Sequence, residues 1–129
     1  MILIKTSYFS KYRGPNGVSV AVSSPHGFLG EHYDKLAPNW WFLKKYKQDG
    51  DENFYVEQYH REILSKLDAR QVYDELGEDA VLLCWEKTGT FCHRRLIAEW
   101  FKKELGVSVP EWQGEIIQPS LFSNEQGVD

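Results

Sequence analysis

The sequence predicts a three-layer α/β fold, in which a mainly parallel β-sheet carries helices on both faces in a Rossmann-like arrangement. Short apolar, β-branched segments alternate with longer segments of helical periodicity, and this alternation is typical of such folds. The run "AVLLCW", residues 80–85, is apolar without alternation, as expected of a central parallel strand. The length of 129 residues fits one domain.

Three further segments are predicted to be strands: "ILIK" (2–5), "VSVAVSS" (18–24) and, more briefly, "VSV" (107–109). Ligands of parallel sheets bind outside the carboxyl ends of the strands. The strand ends therefore predict where a site should lie. The hydroxyl-bearing or reactive side chains that reach this edge include Ser7, Ser23, Cys84 and Glu86.

Four helices are predicted from apolar residues that recur every three or four positions. Asn39, Asp51 and Asp68 stand where a helix cap is expected, and Gly106 is a typical residue at which a helix stops. The predicted helical ranges are 39–47, 51–67, 68–77 and 91–106.

Composition narrows the class of protein. Hydrophobic residues make up 42% of the chain and aromatic residues 15%, which is enough for one core. We assign residues 1–110 to a single domain and residues 111–129 to a C-terminal tail.

A net charge of −4 argues against a general polyanion binder. No run approaches the ~18 apolar residues of a membrane span, so we expect no membrane partner and a cytoplasmic protein with reduced thiols.

The segment "LCWEKTGTFCHRR" (83–95) concentrates groups that can do chemistry. It holds both cysteines, a histidine, a glutamate and two adjacent arginines. The pattern predicts a strand, a loop and the start of a helix, whose free N–H groups attract anions. Thr90 is the predicted cap, with Thr88 as the alternative. With Thr90 as the cap, Cys92 and His93 lie in the first turn.

These groups suggest catalytic roles. The helix dipole and neighbouring arginines favour the thiolate of Cys92, which makes it the candidate nucleophile. His93 could act as a base for either thiol, and Glu86 as an acid or base or as a carboxylate that orients an arginine. Cys84 completes the catalytic set. The alternative is that His93, four residues before Ile97 on the apolar stripe, is a hydrogen-bonded core residue.

Two arginines at a helix start are unusual, because cations there are unfavourable by ~0.3–1 kcal/mol each. A bound anion would reverse that effect, and the expected ligand is a small anion or a nucleotide, free or within nucleic acid. The alternative is that Glu86 or another carboxylate already pairs with an arginine. The predicted anion site comprises Arg94, Arg95, Thr90, Ser7 and Ser23.

No metal site is predicted, and the sequence identifies no cofactor. The spacing of Cys84, Cys92 and His93 matches no common zinc pattern. In addition, Cys92 and His93 would be neighbours on a helix, where adjacent side chains point apart. A disulfide between the two cysteines can be drawn, but we expect free thiols.

The stretch "LLCWEKTGTFCHRRLIAEW" resembles the signature of the uncharacterised family named domain of unknown function 488. In that signature an apolar strand ends in a cysteine and a glutamate, and a loop leads to a Cys-His-Arg helix start. The resemblance spans residues 2–109 and implies membership of the family, but no activity. The matching residues are Cys84, Glu86, Cys92, His93 and Arg94.

Two other segments suggest partners. "NWWFLKKYK" interleaves aromatic residues with lysines, which suits single-stranded nucleic acid or a lid over the site. The alternative, which we favour, is that Trp40 and Phe42 or Leu43 are core residues and the lysines are solvated. "QPSLF" resembles the peptide by which bacterial replication and repair proteins dock on the sliding clamp. Its anchors would be Gln118, Leu121 and Phe122. This motif supports an alternative function, a non-catalytic binding module in DNA metabolism.

Overall fold

A parallel sheet forms the centre of the computed structural model, which describes residues 4–77, 79–87 and 90–114. Within these ranges four strands pair in the order β1-β4-β2-β3, and every pair is parallel. The α/β class predicted from the sequence is confirmed, consistent with a Rossmann-like three-layer arrangement. The strands are β1 (Lys5–Tyr8), β2 (Gly17–Ser19), β3 (Glu31–His32) and β4 (Val81–Cys84).

The apolar run at 80–85 is the central strand that the sequence predicts. Every residue of β4 is buried, and β4 pairs with both β1 and β2. Cys84 lies opposite Tyr8, the last residue of β1. Because all strands are parallel, their carboxyl ends meet at one edge, and Cys84 lies at the middle of that edge.

The helices are α1 (Trp40–Asp49), α2 (Glu52–Glu62), α3 (Ala69–Leu76) and α4 (His93–Leu105). Local chemistry explains two of their starts. The Asp51 carboxylate accepts a hydrogen bond from the backbone N–H of Phe54 at 3.1 Å, and Asp68 does the same for Arg70 at 3.0 Å. Gly106 ends α4 in the left-handed conformation, which glycine adopts without a steric penalty. No described helix is long and apolar enough to cross a membrane.

The strands differ from the prediction in four respects. β1 spans Lys5–Tyr8, whereas the first strand was predicted at 2–5. The strand expected at 18–24 ends at Ser19. The segment 107–109 is not a strand, and one parallel bridge instead joins Thr6 to Glu111. A short strand, β3, forms at the exposed edge although its polar sequence carries no strand signal. Contacts with the domain continue beyond residue 110, since the backbone N–H of Trp112 donates to the carbonyl of Thr6 at 2.8 Å.

The sheet separates two apolar clusters. Alternation along β4 directs Leu82 into the larger cluster, with the buried helix residues Phe42, Tyr59 and Phe101. Leu83 points into a smaller cluster that also contains the two cysteines. The edge at which β4 ends is thus supported by packed side chains.

Candidate functional site

A pocket of about 120 Å³ lies at the carboxyl edge of the sheet, and we call it the rim pocket. Its deep end is formed by the buried residues Cys84, Cys92 and His93. Its open end is bordered by exposed residues. They include Ser23, Trp40, Lys47, Trp85 and Glu86, and further aromatic contacts come from Tyr46, Tyr55 and Phe91.

The start of α4 differs from the prediction. The helix begins at His93, and its N-cap is Cys92 with an extended backbone (φ −156°, ψ 142°), so the assignment of Thr90 as cap is wrong. Thr90 is exposed, and its N–H closes a turn onto the carbonyl of Lys87. Because Cys92 lies outside the helix, helical spacing does not separate its side chain from that of His93. Both side chains therefore reach the same pocket.

The two cysteine sulfurs are joined as a disulfide, whereas the sequence suggested free thiols. The end of β4 and the cap of α4 bring the two side chains together. Their Cα atoms are 7.4 Å apart, beyond the ~4.4–6.8 Å that disulfides usually span. Both cysteines line the rim pocket.

His93 is a buried, neutral imidazole with a defined tautomer. Its Nε2 lies 2.6 Å from the carbonyl oxygen of Val20, which only accepts hydrogen bonds, so Nε2 carries the proton. Nδ1 then presents its lone pair, 4.0 Å from the sulfur of Cys92. Burial, with a smaller effect from the charge of Arg94, lowers the pKa of His93 to about 4 against the opposing Val20 contact. His93 is therefore a buried, hydrogen-bonded residue, as one interpretation predicted, and it also lines the pocket, as the other predicted.

Arg94 is almost completely buried and engaged by the protein itself. Its Nε and Nη2 donate to the two carboxylate oxygens of Glu111 at 3.0 and 3.1 Å. Its Nη1 donates to the sulfur of Cys84 at 3.0 Å and to the backbone carbonyl of Glu86 at 2.6 Å. A carboxylate thus pairs with this arginine, as the sequence allowed, but the carboxylate is Glu111 rather than Glu86.

Arg95 lies near the same carboxylate. Its Nη1 lies 3.7 Å from an oxygen of Glu111 and donates to the hydroxyl of Thr6 at 2.8 Å and to the carbonyl of Val109 at 3.1 Å. The Thr6 hydroxyl also donates to Glu111. The two arginines are therefore arranged around an internal anion.

The other predicted anion ligands are scattered. Ser7 is buried, and its hydroxyl has no hydrogen-bond partner in the described part of the chain. Ser23 borders the rim pocket, and its carbonyl accepts from the indole N–H of Trp85 at 2.9 Å. Of the five predicted anion ligands, Ser23 alone borders the rim pocket as the described residues form it.

Sequence reasoning missed two features of the site. Glu111 was assigned to the tail, and nothing in its neighbourhood suggested a partner for Arg94. The aromatic contacts of the pocket were also missed, although Trp40, Tyr46 and Lys47 come from the segment that we interpreted as a lid or a nucleic-acid contact. Trp40 is 54% exposed, whereas Phe42 is fully buried in the core.

A second cavity, of about 900 Å³, lies beside the rim pocket. Trp85 borders both cavities, and its ring packs edge-on against Phe9 with centroids 5.0 Å apart. Arg13 and His26 contribute polar groups to the larger cavity. The side chain of Trp85 thus separates two cavities at the carboxyl edge.

The fold and the site define a parallel α/β domain with two cysteines and a neutral histidine in a pocket at the carboxyl edge. Residues 6–105 match the family model DUF488-N3a, described as the "Active DUF488-N3 subclade". The chain therefore belongs to the DUF488 family, as the signature at 82–100 suggested. No curated protein and no solved structure matches the chain. The predicted clamp anchors Gln118, Leu121 and Phe122 lie outside the described residues.

Proposed function

We propose that this domain is an enzyme whose rim pocket carries out thiol chemistry, with Cys84 as the nucleophile. The contact that carries the proposal is the hydrogen bond from Nη1 of Arg94 to the sulfur of Cys84, at 3.0 Å. A cationic donor held against a sulfur favours the thiolate, which is the reactive form. Glu111 holds that donor in place through two hydrogen bonds. The word "Active" in the description of the matching subclade agrees with an intact site.

The proposal gives the two thiols different roles. Cys92 was the nucleophile expected from the sequence, but its contact is Nδ1 of His93 at 4.0 Å. An imidazole with a pKa of about 4 is a weak base near neutral pH. We therefore assign Cys92 as the second thiol of the site rather than as its nucleophile. Glu86 stands at the open end, where it can exchange a proton with a bound ligand.

The pocket suits part of a flat ligand with an anionic group, such as a nucleotide. Its volume of about 120 Å³ is below the ~300–1,000 Å³ typical of sites for drug-sized ligands, so it would enclose a ring rather than a whole nucleotide. Tyr46, Tyr55 and Phe91 offer ring faces or edges, and a stacked base is worth ~1–3 kcal/mol. Lys47, exposed at the mouth, would meet a phosphate left outside. A nucleotide within single-stranded nucleic acid would present the same ring.

Alkylation of the reduced, metal-free protein tests the nucleophile. Iodoacetamide should label Cys84 faster than Cys92 near neutral pH, as measured by peptide mass spectrometry over time. Replacing the pair together, with Arg94→Met and Glu111→Gln, removes the donor without leaving a buried charge, and should slow the labelling of Cys84. Arg95→Met is the matched control, because Arg95 does not contact the sulfur. Equal, slow labelling of both cysteines would contradict the proposal.

Docking on a sliding clamp through residues 118–122 stays a prediction from the sequence. So short a segment would bury little area, and ordering it opposes binding, so we expect micromolar affinity. Calorimetry with a peptide covering residues 113–126 measures it directly. The control peptide carries Leu121→Ala and Phe122→Ala, and absence of binding by the parent peptide at high micromolar concentration would reject the motif.

A further inference from the structure

We infer that, when both thiols are reduced, Cys84, Cys92 and His93 form a site for a soft divalent metal ion such as Zn²⁺. One ligand atom from each residue lies within 4.8 Å of the other two, and all three residues are buried. Thiolate and imidazole are the ligands that zinc prefers. The inference goes beyond the proposed function: it concerns the same pocket but does not depend on the thiol reaction.

The backbone is compatible with this coordination. Zinc binds sulfur at ~2.3 Å and nitrogen at ~2.0–2.1 Å, so tetrahedral ligand atoms lie about 3.5–3.8 Å apart. The Nδ1 of His93 is 4.0 Å from the sulfur of Cys92, close to that spacing. The Cα atoms of Cys84 and Cys92 are 7.4 Å apart, which leaves room for an ion between two separated sulfurs. Adjacent residues within a helix point apart, but Cys92 has an extended backbone and lies outside the helix, so its side chain and that of His93 can bind the same ion.

The surroundings of the three ligands are those of a metal site. A histidine ligand usually donates its second ring N–H to a carbonyl or carboxylate, which orients the ring. His93 does this towards Val20, and its Nδ1 lone pair is left for the metal. Nη1 of Arg94 donates to the sulfur of Cys84, as a hydrogen bond to a coordinating thiolate would require. These contacts hold two of the three ligands before any ion arrives.

Three protein ligands leave one tetrahedral position for water or for a ligand in the pocket. All three residues line the rim pocket, which would supply that fourth ligand. Sites with three protein ligands and one open position are typical of catalytic rather than structural zinc. A bound ion would engage both thiolates, so metal binding would lower the nucleophilicity of Cys84. Metal occupancy would thus control whether the thiols are available.

Cobalt is the probe for this site, because Co²⁺ reports its ligands in the visible and near-ultraviolet spectrum. Titration of the reduced protein without oxygen should reach saturation at one equivalent per chain. A thiolate-to-cobalt charge-transfer band and the strong d–d absorption of tetrahedral Co²⁺ should appear together, and Zn²⁺ should displace both. The same protein oxidised to the Cys84–Cys92 disulfide should show neither band. Absence of the charge-transfer band in the reduced protein would overturn the inference.

Single substitutions identify the ligands. Cys84→Ser, Cys92→Ser and His93→Gln should each abolish the tetrahedral spectrum, whereas His60→Gln, on the exposed surface of α2, should leave it unchanged. A spectrum retained by Cys92→Ser or His93→Gln would overturn the assignment. Should these variants fail to fold, the comparison of reduced and oxidised wild-type protein decides alone.

The outcomes separate this site from the proposed enzyme function. If cobalt binds but metal-free Cys84 reacts no faster than Cys92, the metal site stands and the nucleophile assignment falls. If Cys84 reacts faster but no charge-transfer band appears, the nucleophile stands and the metal site falls. If both hold, one equivalent of Zn²⁺ should protect both cysteines from iodoacetamide, and failure to protect them would overturn the shared site.

Discussion

Helices α2 and α4 begin in opposite ways. α2 has an aspartate cap that accepts the N–H of Phe54, and Glu52 lies in its first turn. α4 has a cysteine cap that makes no side-chain cap hydrogen bond among the described residues, and its first three residues are His93, Arg94 and Arg95. The first start is stabilised by local contacts. The second depends on partners far along the chain, and this is where the rim pocket forms.

The difference shows how an unfavourable local sequence marks a site. Cations at a helix start oppose the dipole, and the protein offsets them with one distant carboxylate, Glu111. The same arrangement holds Nη1 of Arg94 in a hydrogen bond to the sulfur of Cys84. The start of α2 has no such group to position. Substitutions at the two helix starts should therefore lower the free energy of unfolding by different amounts and for different physical reasons.

The largest effect is expected from Glu111→Ala. This change leaves the buried guanidinium of Arg94 without its carboxylate, and breaking such a pair is typically worth ~3–5 kcal/mol. The free energy of unfolding, from urea denaturation, should fall accordingly. Adding Arg94→Met should recover part of the loss. A Glu111→Ala variant no less stable than Asp51→Ala would contradict the comparison between the two helix starts.

The next largest effect is the pH dependence that His93 imposes on the metal-free protein. Its pKa is about 4 in the folded state, below the ordinary value of 6.5, so the unfolded state binds the proton more readily. Stability should therefore fall as pH decreases from about 6.5 to 4 and level off below. The loss amounts to about 3 kcal/mol, from 1.36 kcal/mol per pKa unit.

His93→Gln should remove that part of the pH dependence, as measured by urea denaturation at several pH values. His60→Gln, on the exposed surface of α2, should retain it. An identical decline with pH in wild type and His93→Gln would show that other groups are responsible.

A smaller effect is expected at the start of α2. Asp51→Ala removes one cap hydrogen bond, and such substitutions lower stability by about 1 kcal/mol. Asp51→Asn, which keeps an acceptor, is the matched control and should lose less. A loss of 3 kcal/mol or more on Asp51→Ala would mean that this helix start also depends on tertiary partners.

The smallest effect should come from Arg95→Met. The side chain of Arg95 is 42% exposed, and partly exposed ion pairs contribute ~0–1 kcal/mol. Denaturation should show a change below that of Asp51→Ala. The contrast between Arg95 and its neighbour Arg94 tests whether burial of the pair, and not charge alone, distinguishes the two arginines. Equal losses on replacing either arginine would remove that distinction.

Sequence alone determined the elements that depend on neighbours along the chain. The unbroken apolar run predicted β4, since a strand that is covered on both faces carries apolar side chains on both. Asp51 and Asp68 predicted two helix starts because a cap contacts an N–H two or three residues away. The signature at 82–100 likewise identified the family.

Only the tertiary structure decided how the site is assembled. Arg94 and Glu111 are 17 positions apart, and His93 and Val20 are 73 apart. No periodicity or spacing rule links such positions, because their contact depends on how strands and helices pack. In the packed structure α4 begins at His93, with Cys92 rather than Thr90 as its cap. The same packing places the sulfurs of Cys84 and Cys92 together. The sequence thus indicated Cys84, Cys92 and His93, whereas long-range packing added Glu111 and decided which group faces which.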